Sequence, residues 1–282
     1  MSKYNDIRSI PVESIPKEEL GRAIHEWAEG SSSMERLLWA CYDYKIETSG
    51  CHAGIDPFLG FYLNDNNENI SRILNITEKT PYFQILYKPD GGNPFSGPNW
   101  DKPNLTIGIF DMNEENANEY FNNISDALYN QTNGEYNPLL SLFEYFKNKD
   151  SFLSFRLRNI KDKCVFSIET DPISKELTDF YQELFTKAGL ERKVISKEHE
   201  ADGRYSWQIE DDNIDKLYMK IDQAREIIEE NFHLRPPINA NDINTYNQRA
   251  LMMKKKLSPE EFDKWLEEKR IERNELMKKR SI

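Results

Sequence analysis

The stretches FLSFRLRNI (Phe152–Ile160) and CVFSIET (Cys164–Thr170) decide how this chain folds. In the first, Leu153, Phe155 and Leu157 alternate with Ser154, Arg156 and Arg158, the period of two that sends one row of side chains into a core and the next row outside. Arg156 and Arg158 therefore share an outer face, where Glu169 of the second strand is the expected cross-strand partner and an anion the alternative. Reading forward, a helix over 174–188 carries Leu177, Phe180, Tyr181, Leu184 and Phe185 on one side. Strands over 193–199 and 205–209 follow, joined by the tight turn Ala201-Asp202-Gly203, then a helix over 213–231. The order is ββαββα.

Reading backward, the same order recurs. A strand pair over 46–63 leads to a short helix with Ile70, Ile73 and Leu74 on one face, strands over 82–88 and 105–111, and a helix over 114–130 with Tyr120, Phe121, Ile124 and Leu128 at helical spacing. Two amphipathic helices precede this unit, the second capped by the serines at 31–33. Pro236-Pro237 ends the second unit, and Ser258-Pro259-Glu260-Glu261 is a strong helix start beyond it. The predicted class is α+β: two pseudo-repeated ββαββα units with preceding N-terminal helices and a C-terminal helical extension. The expected divisions are an arm over 1–16, a first α+β domain over 17–134, a connector helix over 135–150, a second α+β domain over 151–235 and the extension over 236–282.

Composition narrows the function. With 38% hydrophobic and 30% charged residues the chain can build a core under a polar exterior. No apolar run approaches the roughly 18 residues of a membrane span, and MSKYNDIRSI lacks a secretory h-region, so the expected location is cytoplasmic. Three cysteines, Cys41, Cys51 and Cys164, suit reduced thiols rather than a disulfide framework. The net charge is −12, and residues 250–282 hold ten Lys/Arg against seven Asp/Glu, so the body before them is more acidic still. Such a body disfavours nonspecific nucleic-acid binding and favours a partner with a basic surface.

Reactive side chains crowd in one place, Ser49-Gly50-Cys51-His52-Ala53-Gly54. Cys51 and His52, with Asp56 nearby, are the candidate catalytic residues, as thiolate and base; Ser49, Cys51, His52 and Gly54 are candidates for a binding turn. A tight structural turn is the simplest reading of the same residues. Adjacent residues seldom address one ion and no second Cys follows at zinc spacing, so no metal site is assigned. A second candidate binding element is the Pro/Gly-rich loop over 89–103, where Phe95 and Trp100 could anchor a partner or fold back over the sheet. No Gly-Lys-Ser/Thr follows it, so it is no phosphate-binding loop, and no cofactor is assigned.

The stretch Glu47–Gly54 resembles the Thr-Ser-Ser-Cys-Ser/Ala-Gly-Arg turn of the TYW3-type wybutosine-synthesis proteins. Ser49, Cys51 and Gly54 match; the family's second Ser is Gly50 here, His52 occupies an inserted position, and the following Arg is Ile55. The resemblance implies an S-adenosylmethionine-dependent methyltransferase acting on a modified guanine in tRNA. The residues themselves, with no complete catalytic constellation, favour a binding or regulatory protein. An inhibitor from a phage or bacterium fits both the acidity and the Asn, Lys and Ile bias.

Overall fold

The computed structural model describes residues 15–280, apart from 55, 64–66, 90–101, 111–112, 133, 135, 148, 151, 161, 172, 195–203 and 239–245. Helices α1 (Lys17–Trp27) and α2 (Ser32–Asp43) precede strands β1 (Thr48–His52) and β2 (Phe58–Tyr62), helix α3 (Asn67–Thr77), strands β3 (Phe83–Lys88) and β4 (Asn104–Ile109) and helix α4 (Glu114–Tyr129). After helix α5 (Pro138–Phe146) come β5 (Leu153–Ile160), β6 (Lys163–Thr170), α6 (Lys175–Lys187), β7 (Glu191–Lys193), β8 (Tyr205–Asp211) and α7 (Ile214–Asn231). Helices α8 (Tyr246–Lys256) and α9 (Pro259–Arg280) follow. The α+β class is as read from the sequence. Side chains of Ser31, Asn113, Asn137, Ser174 and Asn213 accept backbone N–H groups at the starts of α2, α4, α5, α6 and α7, relieving donors that a first turn leaves unpaired. Strand β7 begins at Glu191, two residues after the left-handed Gly189 (φ 82°) that closes α6. The expected turn at 201–203 lies outside the described residues.

Among the described residues eight strands form one antiparallel sheet in the order β1-β2-β4-β3-β5-β6-β8-β7. Each run of four is ordered first, second, fourth, third. The sequence leaves open whether the two runs share a sheet; β3 pairs with β5, Ile85 opposite Leu157 and Tyr87 opposite Phe155. The stretches 17–134 and 151–235 are thus halves of one sheet over one core that runs from Ile15 to Phe232. This junction buries two strand edges that separate sheets would expose. The outer edges are protected differently. β7 is only three charged residues long, and β1 is irregular between Thr48 and Gly50.

One row of the core face crosses seven strands as Cys51, Leu59, Ile107, Ile85, Leu157, Phe166 and Ile209. Helices cover it. Tyr87 stacks on Phe143 of α5 at 4.3 Å and donates its hydroxyl to the Phe143 carbonyl, while Trp207 donates to Gln182 of α6. The connector is pinned at both ends. Asn137 caps α5 and donates its amide to Asn75 (3.1 Å) and Glu78 (2.5 Å) at the end of α3. Buried Asp150 accepts from the Phe152 N–H (2.9 Å), the Tyr181 hydroxyl of α6 and Arg235 Nη1 (2.5 Å). In the extension, Ser258 and Glu261 form the expected capping box, and Phe262 stacks on Trp265 beside the buried Ala250.

Candidate functional site

The turn at Ser49–Gly54 is held from two sides. Strand alternation turns Cys51 toward α1, where its Sγ donates to the Trp27 carbonyl at 3.2 Å. His52 turns the other way, its ring tilted against Phe58, and its Nδ1 lies 2.9 Å from Glu29 Oε2. That same carboxylate oxygen accepts the Ala53 N–H at 2.9 Å. Glu29 sits at the end of α1 in the left-handed region (φ 52°), directly before Gly30 (φ 82°), so the helix ending itself aims the carboxylate at the turn. Two close approaches bear on Gly54 and Gly60. A Cβ on Gly54 would stand 2.9 Å from His52 Nε2, and one on Gly60 would stand 2.5 Å from the Ser49 hydroxyl, which accepts from Asn104 at 2.6 Å.

These contacts bring His52 to Glu29 rather than to Cys51 or Asp56. The Cys51 thiol gives its hydrogen bond to a carbonyl, an arrangement that suits S–H rather than thiolate. Cys41 behind it is fully buried, and burial, aided by Cys51, pushes its thiol up to about 12. Among the described residues no three His, Cys, Asp or Glu side chains are grouped to hold a metal. Phe95 and Trp100 lie outside the described residues.

The geometry draws attention instead to the seam between α2 and α4, which run parallel. Their stripes, Leu37, Leu38 and Cys41 against Tyr120, Phe121, Ile124 and Leu128, enter the core. Outside it runs a polar ladder. Ser33 donates to Asn118 (2.5 Å), Arg36 reaches Asn122 (3.4 Å) and Asp126 (2.5 Å), and the Tyr129 hydroxyl donates to Asp43 (3.2 Å). The four-residue spacing of Asn118, Asn122 and Asp126 places them on one helical face.

An open cleft of about 680 Å³ lies over this seam, lined by Trp39, Tyr42 and Tyr129 with Glu35, Arg36 and Asp43, and by Ser32 and Lys17. Trp39 stands edge-on to Tyr42, and Tyr129 is 39% exposed. Burial and the neighbouring Asp43 carboxylate raise the Tyr129 phenol, so it stays neutral. Arg36 is neutralised by Asp126 and stands 5.9 Å over the Tyr129 ring, which thus already meets one guanidinium. Charge extends the same pattern. Side chains of α1 to α7 sum to −10, four of those charges on α4, which has no basic residue; the eight strands sum to +2. Sequence reading missed this site, though Trp39 stands off the apolar stripe of α2 and α4 is conspicuously acidic.

On the opposite face of the sheet, Arg156 Nη2 lies 3.6 Å from Glu169, the expected partner. Lys163 pairs with Glu210. Arg158 lies between Gln84 and Val165 on the neighbouring strands. The chain matches no protein-family model, and no curated protein or solved structure is significantly similar to it.

Proposed function

We propose that this is an acidic cytosolic binding or regulatory protein, an inhibitor of phage or bacterial type, that engages a basic surface of a partner protein through α2 and α4. The observation that carries this reading is the division of charge between the layers, −10 on helices α1 to α7 against +2 on the strands. A basic partner is drawn to the helical layer at long range. The cleft supplies a short-range anchor: the faces of Trp39, Tyr42 and Tyr129 attract a Lys or Arg side chain, and Glu35 and Asp43 offer it carboxylates. Arg36 is held by Asp126 and so repels such a group less than its formal charge implies.

The test is a titration with a lysine- and arginine-rich peptide and a glutamate-rich peptide of equal length, followed through backbone amide shifts. The reading expects saturable shifts from the basic peptide at Trp39, Asp43 and Tyr129, reduced in Trp39→Ala and weakened by salt. Equal shifts from both peptides, or none in this cleft, would overturn it.

A further inference from the structure

A second site, independent of the helical cleft, lies on the outer face of the sheet. Alternation along β5 sends Arg156 and Arg158 to that face, two residues and so roughly 7 Å apart along the strand. The residues opposite them are all uncharged: Leu86 and Ser167 beside Arg156, Gln84 and Val165 beside Arg158. Glu169 serves Arg156 and also accepts from the Ser167 hydroxyl at 3.4 Å. Among the described residues Arg158 makes no hydrogen bond or ion pair, and Lys163 and Glu210 cancel one another. Lys88, two residues beyond Leu86 on β3, faces the Asp171 carboxylate.

We propose that this arginine pair binds a phosphoryl oxyanion carried by a small ligand. Val165 and Ser167 are buried, so the guanidinium groups emerge from partly dehydrated surroundings. Burial, together with the neighbouring Arg156, lowers the Arg158 pKa. Two like charges held side by side under partial desolvation are unfavourable in the free protein, and an anion between them removes the penalty. A phosphoryl group has the charge and the oxygens to meet two planar forks, whereas the one carboxylate present, Glu169, pairs with Arg156 and offsets the Arg158 charge only in part. A small ligand is favoured over nucleic acid because the patch is two arginines wide in a chain of net charge −12.

Inorganic phosphate is the probe, titrated at constant ionic strength against chloride while the Arg side-chain Nε–Hε resonances are followed. The expected result is a saturable shift at both Arg156 and Arg158, with affinity about tenfold weaker in Arg158→Gln. Shifts that track ionic strength alone, or phosphate affinity unchanged in Arg158→Gln, would overturn the proposal, as would a glutamate-rich peptide shifting both resonances at lower concentration than phosphate. The variant also reports without ligand. Arg158→Gln should melt at or above the wild-type temperature, because a strained charge is removed, and a clear fall would mean that the protein already satisfies this guanidinium.

Discussion

Replacing Glu78 by Gln should make the protein more stable at pH 8 and leave it nearly unchanged at pH 4. Glu78 ends α3 against the connector, and burial raises its carboxyl from the ordinary 4.5 to about 7, with Asp215 adding to the rise. Asn137, which donates at 2.5 Å, and Lys79 oppose the rise. The buried Tyr218 hydroxyl on α7 faces this carboxyl and opposes the rise ahead of Asn137 and Lys79. An acid whose folded pKa is raised binds its proton more tightly in the native state. Its contribution to stability is therefore complete below pH 4.5, falls as pH rises to about 7, and is then fully lost. At about 1.4 kcal/mol per pH unit the loss is at most about 3–4 kcal/mol, an upper bound for a carboxyl that keeps some contact with water. Gln retains the acceptor for Asn137 and does not ionise. Urea melts of both proteins between pH 4 and 8 should show the two curves diverging across that window. A difference that stays constant with pH would refute the reasoning, because it would assign the effect to packing rather than to the proton.

Asp150→Ala should cost about 3–5 kcal/mol in urea denaturation, because it strands Arg235 and the Tyr181 hydroxyl in a buried site; a loss below about 1 kcal/mol would show that these groups find other partners. Residues 1–150 produced alone should give a poorly dispersed amide spectrum, since β3 loses its β5 partner; a well-dispersed spectrum would support the two-domain division. S-adenosylmethionine should leave the melting temperature of wild type and Cys51→Ser alike, whereas stabilisation of wild type that is lost in the variant would favour the methyltransferase alternative.

The strand and helix order was legible because alternation and helical stripes are local. Leu153, Phe155 and Leu157 announce their face, and Tyr120, Phe121, Ile124 and Leu128 announce theirs. The junction of the halves was not, because nothing in FQILYK says that its free edge will meet β5 some seventy residues later. Arg156 found the partner its spacing suggested, Glu169. The Ser49–Gly54 turn reads differently in three dimensions, since the carboxylate that reaches His52 comes from Glu29, beyond a left-handed helix ending, and no local pattern encodes that approach. The cleft was hidden for a related reason. Trp39 and Tyr129 are off-stripe aromatics on helices far apart in sequence, and their meeting depends on α2 and α4 running parallel.

Reversing the charge of α4 tests the central claim most directly. A variant carrying Glu114→Lys, Glu115→Lys and Glu119→Lys alters side chains exposed on the helix face away from the core and should keep its fold. Wild type and variant are immobilised side by side and exposed to a low-GC bacterial lysate, and what each retains is identified. The account predicts that wild type retains a protein of basic surface, that the variant loses it, and that Trp39→Ala weakens the same complex by about 2 kcal/mol in a direct titration. Retention of the same protein by wild type and the charge-reversed variant would contradict it.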